Sequence, residues 1–578
     1  MEFFKRYEMK SDTMDYKEKY EQWKSDKFFD EATRNELLSL DNEEEIEDRF
    51  YCDLKFGTGG LRGIMGAGTN RMNKYTVGKA TMGLGRYLLD TYGPDICYER
   101  GIVIGYDTRN NSEYFAYTAG NILSGMGIRV YLHAHARPTP QLSFSVRFWN
   151  AVAGVVITAS HNPKEYNGYK VYDEEGCQLT PWQAKKVTAH IEAITDYRTI
   201  CFTGNRSIIS MADVTDNFVM AVKKQSRYEN LKAKANLKII YTPLHGTGNV
   251  PVQKALRLDG FSNVDTVPEQ IVPNGDFPTA TSPNPEDRRA LELAITRAVR
   301  TDADIVLGTD PDCDRVGIAV KTSVGYQLMT GNQIGALLTD YILSHTDLNL
   351  VRKPAVIKTV VSSELGAQIA KKAGVAVFTT LTGFKYIGEK ICQFEQAQKD
   401  GDSQRDYTFI FGYEESYGYL AGIHVRDKDA VAASLLICEM AAEYKAAGKT
   451  LFDRMDELYK EFGYHLDAQD SFTLKGKEGM DKMVSMMVRL REVESLFGED
   501  CKITDYSLGV VAEPGFGKLP CSNVLRYDMK DDSWIAVRPS GTEPKIKIYY
   551  DIKGNCQEEA KEKLKNFQKV FQMRIGLE

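Results

Sequence analysis

Asp310, Asp312 and Asp314 alternate within the run Asp310-Pro311-Asp312-Cys313-Asp314-Arg315, directly after the apolar segment Ile305–Leu307. In an extended chain, residues i, i+2 and i+4 project to one side, so three carboxylates can converge on one hard cation. Carboxylates that close repel one another without a cation, and Mg²⁺ is the expected ion. An EF-hand loop also opens D-x-D-x-D, but it needs Gly at its sixth position and Glu at its twelfth, where this chain has Arg315 and Lys321. The remaining alternative is a plain acidic turn at a strand end.

A second run, Thr158-Ala159-Ser160-His161-Asn162-Pro163, follows the buried-strand pattern Ala153–Ile157. That places Ser160 and His161 on a loop at a strand's C-terminal end, where α/β domains carry their sites. Ser160 is either a nucleophile or a turn hydroxyl. No G-x-S-x-G elbow is present, which disfavours serine hydrolysis. Lys170, just after Asn167 and Gly168, puts a cation where the chain folds back. A third run, Arg538-Pro539-Ser540-Gly541-Thr542-Glu543-Pro544, offers small residues, two hydroxyls and an arginine. These make an anion cradle, with more donors than a simple hairpin turn explains. Two weaker segments, Thr382-Gly383-Phe384-Lys385 and Gly412–Gly418 with Glu414 and Ser416, read as loops after strands, with polar groups suited to sugar hydroxyls. There is no Walker A motif. Phe56–Gly63 (FGTGGLRG) lacks both the G-x-G-x-x-G spacing and a preceding strand, so a nucleotide is not implied.

The elements that must position these residues share one grammar. GIVIGYDTRN, LKIIYTPLHGTGN and AVIKTVVSSE each join a buried-strand pattern to a small or polar loop. Each is followed by a helical stretch closed by a glycine (Gly127, Gly260, Gly374) and then a second short apolar run. Such spacing suits βαβ crossovers in mostly parallel sheets. The expected fold is α/β: three related α/β domains with mixed, mostly parallel sheets, over residues 1–205, 206–322 and 323–455, and a C-terminal α+β domain over 456–578, around a central cleft. SWIAV and KIKIYY alternate as antiparallel strands do, and a charged helix closes the chain from Gln557. The first fifty residues read as amphipathic helices with Tyr20, Trp23, Phe28 and Phe29 spaced to pack, and Asp429–Tyr459 reads as one helical stretch.

Composition narrows the function classes. The 578 residues carry 73 Lys+Arg against 80 Asp+Glu, a net charge of −7, with 43% hydrophobic and 26% charged residues. These values fit a folded chain of several domains and argue against a nucleic-acid binder with a broad basic surface. No apolar run approaches the ~20 residues of a membrane-spanning helix, and the N-terminus lacks the apolar core of a signal peptide. Ten widely spaced cysteines without a CxxC fit reduced thiols in a cytoplasmic protein.

FGTGGLRG, TASHNP, DPDCDR, GYEESYG and RPSGTEP, in this order, resemble the motifs of the α-D-phosphohexomutase superfamily, the phosphoglucomutases, phosphomannomutases and their relatives. GFKYIG and GYEESYG are most similar to the bacterial α-phosphoglucomutase and phosphoglucomutase/phosphopentomutase branch. The resemblance implies a phosphoserine enzyme activated by glucose 1,6-bisphosphate that interconverts α-glucose 1-phosphate and glucose 6-phosphate. Ser160 matches the phosphorylated serine and, with Asp310, Asp312 and Asp314, the Mg²⁺ ligands. Lys170 matches a candidate acid/base, Arg62 an active-site arginine, and His161 the neighbour of the serine. Arg315 faces the reacting phosphate, Glu414 and Ser416 match the sugar-hydroxyl loop, and Thr382, Gly383 and Lys385 match the loop that senses sugar orientation. Arg538, Ser540, Gly541 and Thr542 match the loop that holds the non-reacting phosphate. Some relatives carry histidines in the sugar loops, but Phe384 and Gly418 stand in those places here, which favours Lys170 over a histidine scheme. The implied partners are small-molecule sugar phosphates, with no nucleic acid and no membrane, for a monomer or weak dimer. Phosphopentomutase or phosphomannomutase activity, and a metal-dependent sugar phosphatase, are the alternatives.

Overall fold

The computed structural model describes residues 15–57, 59–473, 476–492, 501–509, 516–539 and 545–575. The chain divides into two compact units: one is the chain up to Asp213 with Asn274–Ser282, and the other is Val214–Pro273 with everything from Pro283 on.

The first unit begins with helices Tyr16–Ser25, Glu31–Leu38 and Glu43–Phe50. They bury the expected aromatic cluster, with Trp23 stacked on Phe29 at 4.2 Å between ring centres and edge-on to Phe50 and Tyr75. Its sheet holds β1 (Gly60–Ile64), β2 (Ile102–Tyr106), β3 (Val130–His133), β4 (Ala153–Ile157), β5 (Tyr166–Tyr172) and β6 (Ile209–Ala212), in the order β1-β5-β4-β2-β3-β6. Strands β2, β3, β4 and β6 are parallel, while β5 returns antiparallel beside β4 and β1 antiparallel beside β5. Every residue of β2 and β4 is buried, as expected of central strands covered on both faces.

The second unit repeats the pattern twice. Its first sheet contains β7 (Ile239–Thr242), β8 (Val264–Thr266), β9 (Ile305–Thr309), β10 (Val316–Thr322) and β11 (Gly325–Leu328), ordered β11-β10-β9-β7-β8. Its second contains β12 (Pro354–Thr359), β13 (Ala376–Thr380), β14 (Thr408–Glu414) and β15 (Gly418–Ala421), ordered β13-β12-β14-β15. In all three sheets the parallel strands are followed by one antiparallel return: β4 to β5, β9 to β10 and β14 to β15. The three expected βαβ crossovers are present, and Gly127, Gly260 and Gly374 close their helices at positive φ. The stretch expected as one helix from Asp429 is two, Ala430–Ala446 and Leu451–Phe462, with Gly448 at φ +73° between them. The last sheet is wholly antiparallel: β16 (Tyr464–Thr473), β17 (Lys502–Asp505), β18 (Leu525–Asp528), β19 (Trp534–Pro539) and β20 (Lys545–Gly554), ordered β16-β20-β19-β18-β17 and covered by helix Gln557–Ile575. No helix among the described residues is long and apolar enough to cross a membrane.

Candidate active site

The three antiparallel returns are topologically equivalent, and their tips carry Ser160, the three aspartates, and the Glu414–Ser416 segment. One local geometry, a parallel strand turning back at its C-terminal end, thus supplies three of the chemistry-bearing loops.

In the first unit Ser160 is almost fully buried and lies at φ +53°, a left-handed conformation that costs a non-glycine residue about 1–3 kcal/mol. The surroundings hold it there. The Ser160 amide donates to Thr158 Oγ1 (2.8 Å). Arg109, buried just after β2, donates through Nη2 to the carbonyls of Ser160 and Asn162, both at 2.5 Å. Its Nη1 donates to the carbonyls of Pro163 (2.9 Å) and Tyr166 (3.2 Å). The guanidinium is paired with Asp107 at 3.3 Å, both side chains fully buried, and lies 5.0 Å from the Phe277 ring centre. Ser112 Oγ fixes Asp107 at 2.6 Å. One arginine thereby ties four carbonyls of the serine loop to a rigid strand end. Ser160 Oγ lies 3.2 Å from His161 Nδ1, and Arg62 on β1 donates to Asn162 Oδ1 at 3.2 Å. Lys170 is half-buried on β5, opposite Gly60 on one side and Val156 on the other. Gly168 is required between β5 and its neighbours, because a Cβ there would stand 2.5 Å from the Thr158 carbonyl oxygen and 2.9 Å from that of Leu61. Ser160, His161, Arg62 and Lys170 therefore share one local framework.

In the second unit Asp310, Asp312 and Asp314 are buried, with potential ligand atoms within 4.8 Å of one another. They do not meet by strand alternation as expected. Strand β9 ends at Thr309 and the segment turns, with Cys313 at φ +52° and its amide donating to the Asp310 carbonyl (2.9 Å). Asp310 Oδ1 accepts the amides of Asp314 and Arg315, each at 3.1 Å, so the turn rather than the pleat gathers the carboxylates. Burial, and then the charges of Asp312 and Asp314, push the Asp310 carboxyl well above the usual carboxylate range. An all-oxygen anionic cluster under this mutual repulsion suits a hard divalent cation.

Lys428, in none of the quoted motifs, stands 3.1 Å from Asp314 Oδ2 and 3.0 Å from Asp427 Oδ1. Burial opposes its charge, but Asp314, Asp427 and Glu414 outweigh that and raise its pKa. Its ammonium lies 5.6 Å from the Phe384 ring centre, and a Cβ on Gly418 would fall 2.1 Å from Lys428 Cδ. Phe384 and Gly418 thus both adjoin this lysine. A larger residue at 418 would displace it. Arg315 pairs with Glu286 at 3.1 Å.

Glu414 Oε1 accepts the Gly383 amide at 2.8 Å, which joins the two weaker segments. The segment expected as a loop at Thr382–Lys385 is a loop only to Gly383, because helix Phe384–Asp400 begins at Phe384. Lys385 is therefore in a first helical turn, and it is buried. Burial, and then the nearby Arg538 charge, push its ammonium down to about 8. Arg538 is the penultimate residue of β19, before Pro539, and is paired with Lys547 of β20. Ser416 lies in the turn between β14 and β15, and Thr382 just before Gly383. Ser540, Gly541 and Thr542 lie outside the described residues.

Family models for phosphoglucomutase/phosphomannomutase match in chain order: α/β/α domain I at residues 53–198, domain II at 216–325, domain III at 330–462 and the C-terminal domain at 490–569. Among curated proteins, a phosphoglucomutase of Staphylococcus aureus (strain MRSA252) is 39% identical over 530 residues, covering 89% of this chain and 92% of its own. The chain is similar in fold to the open form of parafusin, a phosphoglucomutase from Paramecium (TM-score 0.68, 20% identity, 91% of this chain and 95% of that one). It is also similar in fold to a phosphoglucomutase/phosphomannomutase family protein from Burkholderia thailandensis (TM-score 0.65, 17% identity, 90% of this chain and 97% of that one).

Proposed function

Because the chain belongs to the phosphoglucomutase/phosphomannomutase family, we propose that it interconverts α-D-glucose 1-phosphate and glucose 6-phosphate through a phosphorylated Ser160. The observation that carries this reading is the buried carboxylate turn Asp310–Asp314 inside a chain 39% identical over 530 residues to a phosphoglucomutase. Asp310, Asp312 and Asp314 are the residues to hold Mg²⁺, which when bound neutralises phosphate charge and polarises the ester oxygen. The protein's own contribution is positioning and electrostatics, as phosphoryl transfer demands.

Arg109 holds the serine loop in one conformation, so the seryl oxygen is presented without reorganisation. Glu414 and Ser416 hold the sugar hydroxyls, and Lys385 and Arg538 place cations where the non-reacting phosphate is gripped, with Ser540, Gly541 and Thr542 adding donors. In the first half-reaction the bond between Ser160 Oγ and phosphorus breaks as the free substrate hydroxyl bonds to phosphorus. The hydroxyl's proton passes by way of Lys170 to the departing Ser160 oxygen, giving glucose 1,6-bisphosphate and the free serine. After the bisphosphate turns around, the reverse transfer rephosphorylates Ser160 and releases the isomer. A trace of the bisphosphate serves as activator by priming Ser160. We place the enzyme in the cytoplasm, acting on small sugar phosphates as a monomer or weak dimer.

The test is formation of glucose 6-phosphate from glucose 1-phosphate with Mg²⁺ and a trace of glucose 1,6-bisphosphate, beside ribose 1-phosphate and mannose 1-phosphate. Bisphosphate-dependent product supports the mutase, and the relative kcat/KM values rank the sugars. Release of inorganic phosphate without the isomer would make it a phosphatase.

A further inference from the structure

The run Thr242-Pro243-Leu244-His245-Gly246-Thr247-Gly248-Asn249 carries the chain from the end of β7 into helix Asn249–Leu258, and the chemistry described above does not use it. Its backbone is held against its own preference. Leu244 and His245 are consecutive non-glycine residues at φ +48° and +62°, a left-handed conformation that persists only where the surroundings over-determine it. On one side the segment 270–272 does so. The Gln270 carbonyl accepts the His245 amide (2.9 Å), and His245 Nδ1 lies 3.0 Å from the Val272 carbonyl oxygen. Thr242 Oγ1 donates to Gln270 Oε1 (2.6 Å) and accepts the Leu244 amide (3.1 Å), while Asn249 Nδ2 donates to the Ile271 carbonyl (3.2 Å).

The other side of this loop meets the carboxylate turn. Strands β7 and β9 are parallel neighbours, so the loops at their C-terminal ends lie side by side. Pro311, between Asp310 and Asp312, presents a carbonyl that accepts both the amide (2.8 Å) and the hydroxyl (2.9 Å) of buried Thr247. Tyr241 Oη lies 2.9 Å from Oγ1 of Thr309, the residue just ahead of Asp310. The loop approaches too closely for side chains at its glycines. A Cβ on Gly246 would stand 2.4 Å from Pro311 Cα, and one on Gly248 would stand 2.6 Å from Thr309 Oγ1 and 2.9 Å from Cys313 Sγ. Neither glycine is left-handed, so proximity alone excludes a larger residue. The turn that gathers the three carboxylates thus rests on a backing loop, and drawing it away breaks both Thr247 bonds.

We infer that Thr247 is a positioning residue that sets the spacing of Asp310, Asp312 and Asp314, and that its loop makes the turn select Mg²⁺ over Ca²⁺. This role rests on the reading of the three aspartates as the metal-holding residues. Mg²⁺ demands near-octahedral oxygens at about 2.0–2.1 Å, whereas Ca²⁺ accepts roughly six to eight oxygens at about 2.3–2.6 Å in more pliant arrangements. Site size and flexibility therefore decide between the two ions. A turn braced from behind at Pro311 resists the expansion that Ca²⁺ requires, and a loosened turn accepts it. Thr247 touches no ligand atom; it acts through the Pro311 backbone, as outer partners of metal sites do.

The experiment titrates the full chain with MgCl₂ and, separately, CaCl₂, reading each dissociation constant from the metal-induced rise in melting temperature. Wild type and Asp310→Asn report on the metal reading by itself: if wild type takes up neither ion, that reading fails, independently of any role for Thr247. Thr247→Val removes the hydroxyl at nearly constant shape and spares the amide bond to Pro311. It is expected to weaken Mg²⁺ binding about tenfold or more and Ca²⁺ binding less, so the preference for Mg²⁺ shrinks. Thr247→Ser, which keeps the hydroxyl, should restore both constants. Gly246→Ala, which presses on Pro311 directly, should act as Thr247→Val does. Mg²⁺ binding within about twofold of wild type in both variants, whatever their melting temperature without metal, would reduce the loop to a structural role and overturn the inference. An equal loss for both ions would overturn it as well. Should these variants not fold, Tyr241→Phe loosens Thr309 beside the same turn and is judged by the same two criteria.

Discussion

Replacing Arg109 with methionine tests how the serine loop is held. The change removes a guanidinium that reaches four loop carbonyls and leaves Asp107 fully buried without its cation. Breaking a buried ion pair by removing one partner costs about 3–5 kcal/mol. The four carbonyl contacts are part of the same perturbation and do not add to that figure in full. Ser160 then loses the contacts that offset its left-handed backbone, worth about 1–3 kcal/mol on their own. At roughly 2–4 °C per kcal/mol for a body of about 200 residues, the first unit should melt about 6–20 °C lower. Arg109→Lys keeps a charge near Asp107 but cannot span four carbonyls with one ammonium. It should recover much of the melting temperature but little of kcat. The assay is differential scanning calorimetry alongside mutase kinetics at saturating bisphosphate. Arg109→Met melting within about 2 °C of wild type, a shift of less than 1 kcal/mol, with kcat unchanged, would refute the idea that this arginine braces the site.

Three further outcomes are expected. Arg538→Ala should raise KM for sugar phosphates about 10- to 150-fold, the equivalent of one charge-assisted phosphate contact of about 1.5–3 kcal/mol, and unchanged KM and kcat would remove Arg538 from the phosphate site. Lys385, with its ammonium at about 8, is charged below that pH and neutral above it. KM should therefore rise as pH climbs through 8, and Lys385→Met should flatten that alkaline limb. Because its folded-state pKa lies below the ordinary lysine value, the same group makes stability rise, not fall, with pH between about 8 and 10.4, a gradient that urea titrations of wild type and Lys385→Met should separate. Mg²⁺ should raise the melting temperature of the wild type through preferential binding to the folded state, and Asp310→Asn should abolish that shift, as read by calorimetry with and without EDTA.

The sequence made the βαβ units legible because parallel strands buried on both faces appear as continuous apolar runs, and Gly127, Gly260 and Gly374 mark their helix ends. The antiparallel returns were harder to see. Tyr166–Tyr172 is partly polar and Gly418–Ala421 is short and glycine-led, so the equivalence of the three site hairpins emerges only in the folded chain. Helix Phe384–Asp400 reads as a loop at its start because Gly383 supplies no side-chain cap, the usual sign of a helix beginning. The aspartates are apparent from spacing, but their route together is a turn, which Pro311 and the left-handed Cys313 impose. Arg109 and Lys428 carry no motif of their own. Arg109 acts on carbonyls more than fifty residues away, and Lys428 lies over a hundred residues from Asp314. The available hint was a charged run beside a buried segment: Asp107-Thr108-Arg109 after β2, and Arg426-Asp427-Lys428-Asp429 before an apolar helix.

The most direct test of the account is to follow phosphate on Ser160. The protein is incubated with glucose 1,6-bisphosphate and Mg²⁺, and its peptides are mapped by mass spectrometry before and after a chase with glucose 6-phosphate. The account predicts one phosphoryl group on the peptide containing Ser160, lost on the chase as bisphosphate appears, with Ser160→Ala neither labelled nor active. Mutase turnover that persists in Ser160→Ala, or label that resides on another residue, would contradict it.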